Sequence, residues 1–216
     1  MRAATAAVWS GSPFVPVISA ARRQGRYDAI LDAATAAFAE RGFANVSIAQ
    51  IAKAAGISDG LVYRYFRDKR DLLFHVLQAF YGRIMADLEA KVTRETGFAA
   101  RLETLIRHHL EVFVADDDLC RLLIAEVRVA ADYQGSPVQH LNRRYTAVLL
   151  KIVDEAIRAG ELAGDIDARL FRDAVFGAIE HRTWRHVNGR GPMDVAATAR
   201  ELTTLFTRGL PRRTEA

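Results

Sequence analysis

The chain has 216 residues, half of them apolar and 26% charged, which is enough to build a buried core. No apolar run approaches the roughly 18 residues that a spanning helix needs, so no membrane partner is expected. A lone cysteine, Cys120, excludes an internal disulfide and suits a reducing cytoplasm, the expected location; its setting, LCRLLIAEV, reads as a core thiol. The net charge of +4 is lopsided: residues 1–70 carry ten Lys/Arg against five Asp/Glu, so the remainder sums to −1. One end of the molecule suits a polyanion, and the rest does something else.

In chain order, Arg2 followed by Ala and Val could open a leader peptide, but Ser10, Gly11, Ser12, Pro13 and Pro16 interrupt it, so residues 1–20 are expected to form a disordered tail. Arg22, Arg23 and Arg26 are expected ahead of a first helix on which Ile30, Ala34, Ala37 and Phe38 recur, and Gly42–Phe43 ends that helix. Ser47 is an N-cap for a second helix carrying Ile48, Ile51, Ala52 and Ala55, closed by Gly56, where a positive φ is expected. Ser58 is read as the cap of a third helix reaching about Phe66. Asp68, with Asp71 three residues on, opens a fourth. No stretch alternates with period two for long, so the class is all-α. Two short helices separated by AGIS make a helix-turn-helix.

In that motif the third helix lies in a DNA major groove. Val62 and Phe66 are four apart and suit packing, while Asp59, Gly60, Tyr63 and Arg64 lie around the other side. Tyr63 can donate to a phosphate, Arg64 can reach phosphate or a guanine edge, and Lys69 can bind phosphate as a point charge. The competing view makes the aromatics plain core and the charges a solvated rim. The basic excess on this same segment weighs against it.

The stretch ILDAATAAFAERGFANVSIAQIAKAAGISDGLVYRYFRDKRDLL resembles the DNA-binding head of TetR-type transcriptional regulators. The resemblance implies a homodimer on a palindromic double-stranded operator, about nine helices, a head over 21–68, a ligand-binding and dimerisation domain over 69–210, and a short tail over 211–216. Residue by residue it implies phosphate contacts for Ser47, Tyr63 and Lys69, and base-edge contacts around Ser58, Asp59, Gly60, Leu61 and Arg64. Arg22 and Arg26 are expected to reach the DNA backbone or minor groove. Two positions depart from the usual pattern. Leu61 stands where a small or hydroxylated residue is common and can meet a thymine methyl; Asp59 stands where a basic or neutral residue is usual and complements the helix start.

Beyond the head, Gly97, Asp116–Asp118, Gly135–Pro137, Gly160–Gly164 and Gly189–Pro192 break a run of further helices, the last two expected over 167–187 and 194–210. Their apolar stripes are Phe171, Val175 and Ile179, and Val195, Ala199, Leu202 and Phe206; the resemblance implies that they pair with their symmetry mates as a four-helix bundle. The segments LLIAEVRVAADYQGSPVQHLNRRYTAVLLKIV and FRDAVFGAIEH are similar, more weakly, to TetR-type regulators of fatty-acid metabolism. That implies a hydrophobic or amphipathic effector, with a long-chain acyl-CoA as candidate. Arg128, Arg143 and Arg144 would suit its phosphates, Phe113, Leu149 and Phe176 its chain, and His109 and His181 would add polar lining. No metal or cofactor is expected: His108 and His109 point about 100° apart on a helix, and His181 and His186 are five apart. No GxSxG, Walker, CxxC or HExxH motif points to an enzyme. Two alternatives stay open: an architectural DNA-binding protein without an effector, and a helical enzyme with dispersed catalytic residues.

Overall fold

The computed structural model describes residues 19–187 and 191–209. The tails expected over 1–20 and 211–216 fall outside those residues, except at Ser19 and Ala20. There the expectation is corrected: the Ser19 hydroxyl accepts from the Arg22 amide at 3.3 Å, so the first helix begins at Ala20 and contains Arg22, Arg23 and Arg26.

Among the described residues all regular secondary structure is helical, with no strand. The helices are α1 (Ala20–Arg41), α2 (Ile48–Ala54), α3 (Asp59–Val62), α4 (Lys69–Val92), α5 (Phe98–Ala115), α6 (Asp117–Leu122), α7 (Pro137–Arg158), α8 (Ala168–Val187) and α9 (Val195–Arg208). A π-helical turn, Leu123–Val127, prolongs α6. None of these helices is long and apolar enough to cross a membrane.

Local chemistry sets the boundaries. Ser47 and Gln50 form a reciprocal capping box at the start of α2, and Asp68 accepts from the Asp71 amide at 2.8 Å to open α4. Ser58 takes the extended backbone of an N-cap, but its hydroxyl makes no cap bond. The third helix is also shorter than expected. Its α-helical stretch ends at Val62; the Arg64 and Tyr65 amides then reach back only three residues, to Leu61 and Val62, tightening the chain before Asp68.

Packing divides at α4. Its first turns, with Leu72 and Val76, close a head core of Ile30, Phe38, Ile51, Val62 and Phe66; its later turns join α5 and α7 around Leu88, Leu102 and Ile106. α5 then serves as the hub of the second domain, packing against α4, α7, α8 and α9. One helix therefore belongs to both cores.

The α1–α2 turn supplies a stability test. Gly42 has φ 74° and ψ 161°, a region that is essentially glycine-only, and an added Cβ would lie 2.7 Å from Glu126 Oε1. Gly42→Ala is expected to cost about 1–3 kcal/mol in urea unfolding, whereas Gly25→Ala, which meets nothing within 4 Å, should cost none.

Candidate DNA-binding surface and ligand cavity

The helix-turn-helix presents Ser47, Ser58, Asp59, Gly60 and Arg64 to solvent, with Tyr63 56% exposed and Leu61 half-buried, while Val62 and Phe66 anchor the motif in the core. Tyr27 on α1 stacks on Phe66 with ring centroids 5.3 Å apart, which brings the first half of α1, and Arg26 with it, beside the segment between α3 and α4. Among the described residues, Arg22, Arg26, Lys53 and Arg64 have no ion-pair partner, whereas Arg67, Arg70 and Arg83 pair with Asp71, Asp132 and Asp116. The head thus keeps its charge unneutralised around the motif.

Lys69 is placed differently from the expectation. Its ammonium donates to the carbonyls of Phe43 and Val46, both at 2.8 Å, and lies 4.4 Å from the centre of the Phe43 ring. Two of its three donors serve the fold, and one remains for a phosphate.

The second domain holds a cavity of about 810 Å³ between α4, α5, the π-turn, α7 and α8. Phe80, Ile84, Phe113, Leu123 and Phe176 supply apolar wall; Tyr81, Asn142, Arg128 and Glu180 supply polar wall. Tyr81 donates to Asn142 Oδ1 at 3.2 Å, and Arg128 pairs with Glu180 across the cavity. Arg143 and Arg169, both exposed, stand at its rim without an ion-pair partner among the described residues, and Arg172 is held by Asp173 at 2.7 Å. Cys120 lies in this wall as an inert thiol, its pKa pushed up to about 12 by burial. Among the described residues no cluster of three or more His, Cys, Asp or Glu could hold a metal.

Residues 30–76 match the sequence profile of the bacterial regulatory proteins of the tetR family, and residues 95–210 match that of the tetracyclin repressor-like C-terminal domain. The chain belongs to the TetR family of transcriptional regulators. Its relatives include the fatty acid metabolism regulator protein of Bacillus subtilis, 26% identical over 88% of this chain and 97% of that protein. The repressor KstR2 of Rhodococcus jostii is 25% identical over 84% of this chain and 90% of that protein. Among solved structures, FadR from Bacillus subtilis in complex with stearoyl-CoA superposes with a TM-score of 0.77 at 27% identity, over 86% of this chain and all of that one. FadR from Bacillus halodurans gives 0.76 over the same shares, also at 27%.

Of the ligand residues expected for this TetR-family regulator, His109, Phe113, Arg128 and Phe176 line the cavity, and so does Arg143. Three others do not. Leu149 is fully buried in the core, and Arg144 and His181 face solvent, each one helix step, about 100°, beyond a lining residue. Arg169, Arg172, Tyr81 and Asn142 were not anticipated; the recurrence of Arg169, Arg172, Asp173 and Phe176 at helical spacing was the legible signal.

The dimer residues need the same correction. Phe171, Val175, Ile179, Ala199 and Leu202 are buried within the single chain, and Val195 and Phe206 are half-buried against that core. α5 already covers these stripes. The outward stripe of α8 is Leu170, Ala174, Gly177, His181 and Trp184, at successive spacings of four, three, four and three, with Leu170 67% and Trp184 57% exposed; Leu205 of α9 is 64% exposed.

His109 connects the cavity to stability. Burial, then His108 and Arg128 beside it, push its pKa down to about 3, so the unfolded chain takes up the proton first as pH falls. Its contribution is complete above about pH 6.5 and is lost toward pH 3. Between pH 7.5 and pH 5 urea unfolding should lose about 2 kcal/mol through this residue, a loss that His109→Gln should remove.

Proposed function

We propose that this regulator is a repressor that binds a palindromic operator as a homodimer and leaves it when an amphipathic effector, with a long-chain acyl-CoA as first candidate, enters the second domain. The observation that carries the reading is the cavity itself: a wall part aromatic and aliphatic, part polar, with two unpaired guanidinium groups, Arg143 and Arg169, at its rim. An acyl chain suits the wall and an anionic head group suits the rim. A cavity of this volume lies within the usual range for small-molecule sites, about 300–1,000 Å³. The stearoyl-CoA bound by the Bacillus subtilis FadR supports the choice of ligand class.

On the operator, Tyr63, Ser47 and the free donor of Lys69 serve phosphates, Arg64 with Ser58, Asp59, Gly60 and Leu61 meets the bases, and Arg22 and Arg26 reach the adjoining backbone. The dimer forms through the outward stripe of α8 with Leu205 of α9, since small Ala174 and Gly177 between two large apolar residues allow helices to approach closely. Its tests separate the stripes. Ala174→Glu should sediment as a folded monomer, while Leu202→Asp should lower the unfolding temperature whatever the oligomeric state.

For the operator, log affinity against log salt should fall steeply, as expected for roughly 6–10 phosphate contacts per dimer. Tyr63→Phe should weaken all sequences alike, and Arg64→Ala should cost about 1–3 kcal/mol on the cognate sequence alone. Titrating the preformed complex with palmitoyl-CoA should release DNA. Release by another class of hydrophobe alone would remove the acyl-CoA assignment and leave the regulator.

A further inference from the structure

A chain of hydrogen-bonding groups runs from the protein surface to the cavity wall. Asp87 Oδ2 lies 3.2 Å from His108 Nε2; His108 Nδ1 lies 3.4 Å from the Tyr145 hydroxyl; that hydroxyl lies 2.8 Å from His109 Nδ1. Its two middle members, His108 and Tyr145, are each only 2% exposed. His109 rests edge-on against Phe113 and Phe176 and opens on the cavity.

The chain has a direction. Lys91, 3.0 Å from both Asp87 and Glu111, keeps the Asp87 pKa below the usual carboxylate range, so Asp87 can only accept. His108 is kept neutral, chiefly by burial and then by Lys91. It therefore carries its proton on Nε2 and offers a bare Nδ1. Among the described residues Tyr145 is the one partner of that buried nitrogen, and must donate to it. The Tyr145 oxygen then accepts from His109 Nδ1–H. In the reverse direction, His108 Nδ1 would stay buried and unsatisfied, which native interiors avoid. His109 Nε2, with no protein partner among the described residues, is left as a proton-free acceptor on a residue that lines the cavity.

We propose that the effector places a hydrogen-bond donor, a hydroxyl or amide N–H, on His109 Nε2, and that Asp87, His108 and Tyr145 are positioning residues that hold this imidazole in its accepting tautomer. The proposal deepens the effector reading, on which it rests only for the scaffold that carries the donor. An ionised carboxylate or a thioester carbonyl has no proton to give at this point, and the wall around it is aromatic. The site selects for a donor and against a second acceptor. Within an acyl-CoA the donor is either a hydroxyl on the chain or a hydroxyl or N–H of the CoA part.

Ring ¹⁵N shifts of the unliganded protein should show His109 protonated at Nδ1 and bare at Nε2. The matched probes are 1-decanol and methyl nonyl ether, which have similar volumes and differ chiefly in the O–H; the alcohol should bind about tenfold more tightly, the worth of one hydrogen bond. His108→Phe frees the Tyr145 proton for His109 Nδ1, and Tyr145→Phe removes the acceptor that holds the His109 proton there. Each should move the proton to Nε2 and abolish the preference, and the second serves if the first does not fold. Equal binding of the two probes to the unsubstituted protein, including no binding of either, overturns the proposal, as does a proton on His109 Nε2. His109→Phe then sorts the source: loss for palmitoyl-CoA and 3-hydroxypalmitoyl-CoA alike assigns the CoA part, loss for the hydroxylated ligand alone assigns the chain, and loss for neither overturns it. If no acyl-CoA binds while decanol is still preferred to the ether, the acyl-CoA reading fails and the donor site stands.

Discussion

The turn between α1 and α2 is held from both sides, and the position of the DNA-binding head depends on it. Lys69, the first residue of α4, grips the carbonyls of Phe43 and Val46. Glu126, in the π-turn of the second domain, accepts from the Phe43 amide at 3.1 Å and stands against Gly42. Hydrogen bonds of this charge-assisted kind contribute about 1.5–3 kcal/mol each. Only a glycine fits at position 42, because the backbone there adopts a positive φ and the Glu126 carboxylate occupies the space a side chain would need. The head is therefore joined to the second domain by more than its covalent link at Asp68–Lys69.

Both attachments lead to the cavity. α4 begins with Lys69 and lines the cavity with Phe80, Tyr81 and Ile84; the π-turn carries Glu126 and continues directly into Arg128, which pairs with Glu180 on α8. A second ion pair, Arg70 to Asp132 at 2.6 Å, ties the first turn of α4 to the segment after the π-turn, but both partners are more than half exposed and the pair adds little. For the proposed function this geometry makes direct competition for DNA unnecessary. If the effector weakens operator binding 100-fold, the coupling is about 2.7 kcal/mol, comparable to the loss of one or two of the bonds around Phe43. Operator DNA must then weaken the effector by the same factor.

Much of the head was legible in the sequence because its signals are local. Ser47, Asp68 with Asp71, and the glycines at 42 and 56 each announce a helix end within a few residues. Orientation was not legible. The stripes on α8 and α9 are amphipathic in the way an interface would be, but periodicity shows that a face is buried without naming what buries it, and α5 covers these faces within one chain. The outward stripe is hard to see because alanine, glycine and histidine separate its two large residues. On the cavity wall, the expected residues that miss it, Arg144, Leu149 and His181, stand one helix step from the lining residues Arg143, Leu150 and Glu180, because composition carries no fixed phase. Lys69 reads as a free surface cation because its partners are backbone carbonyls 26 and 23 residues earlier, which no side-chain pattern records.

Two nearby side chains at the π-turn, Glu126 and Arg128, serve different domains. Arg128 donates its amide to Leu123 O at 2.8 Å, five residues back, so the helix widens by one residue over Leu123–Val127. In an α-helix, residues 126 and 128 stand about 200° apart, and an inserted residue changes the phase between the helical turns on its two sides. Glu126 reaches the α1–α2 turn while Arg128 reaches into the cavity toward Glu180. The π turn is also the less favourable of the two hydrogen-bonding patterns, as its rarity shows, and such turns concentrate at functional sites. A ligand that competes for Arg128 or Glu180 therefore acts on the least regular turn of the second domain, two residues from the carboxylate that holds the head.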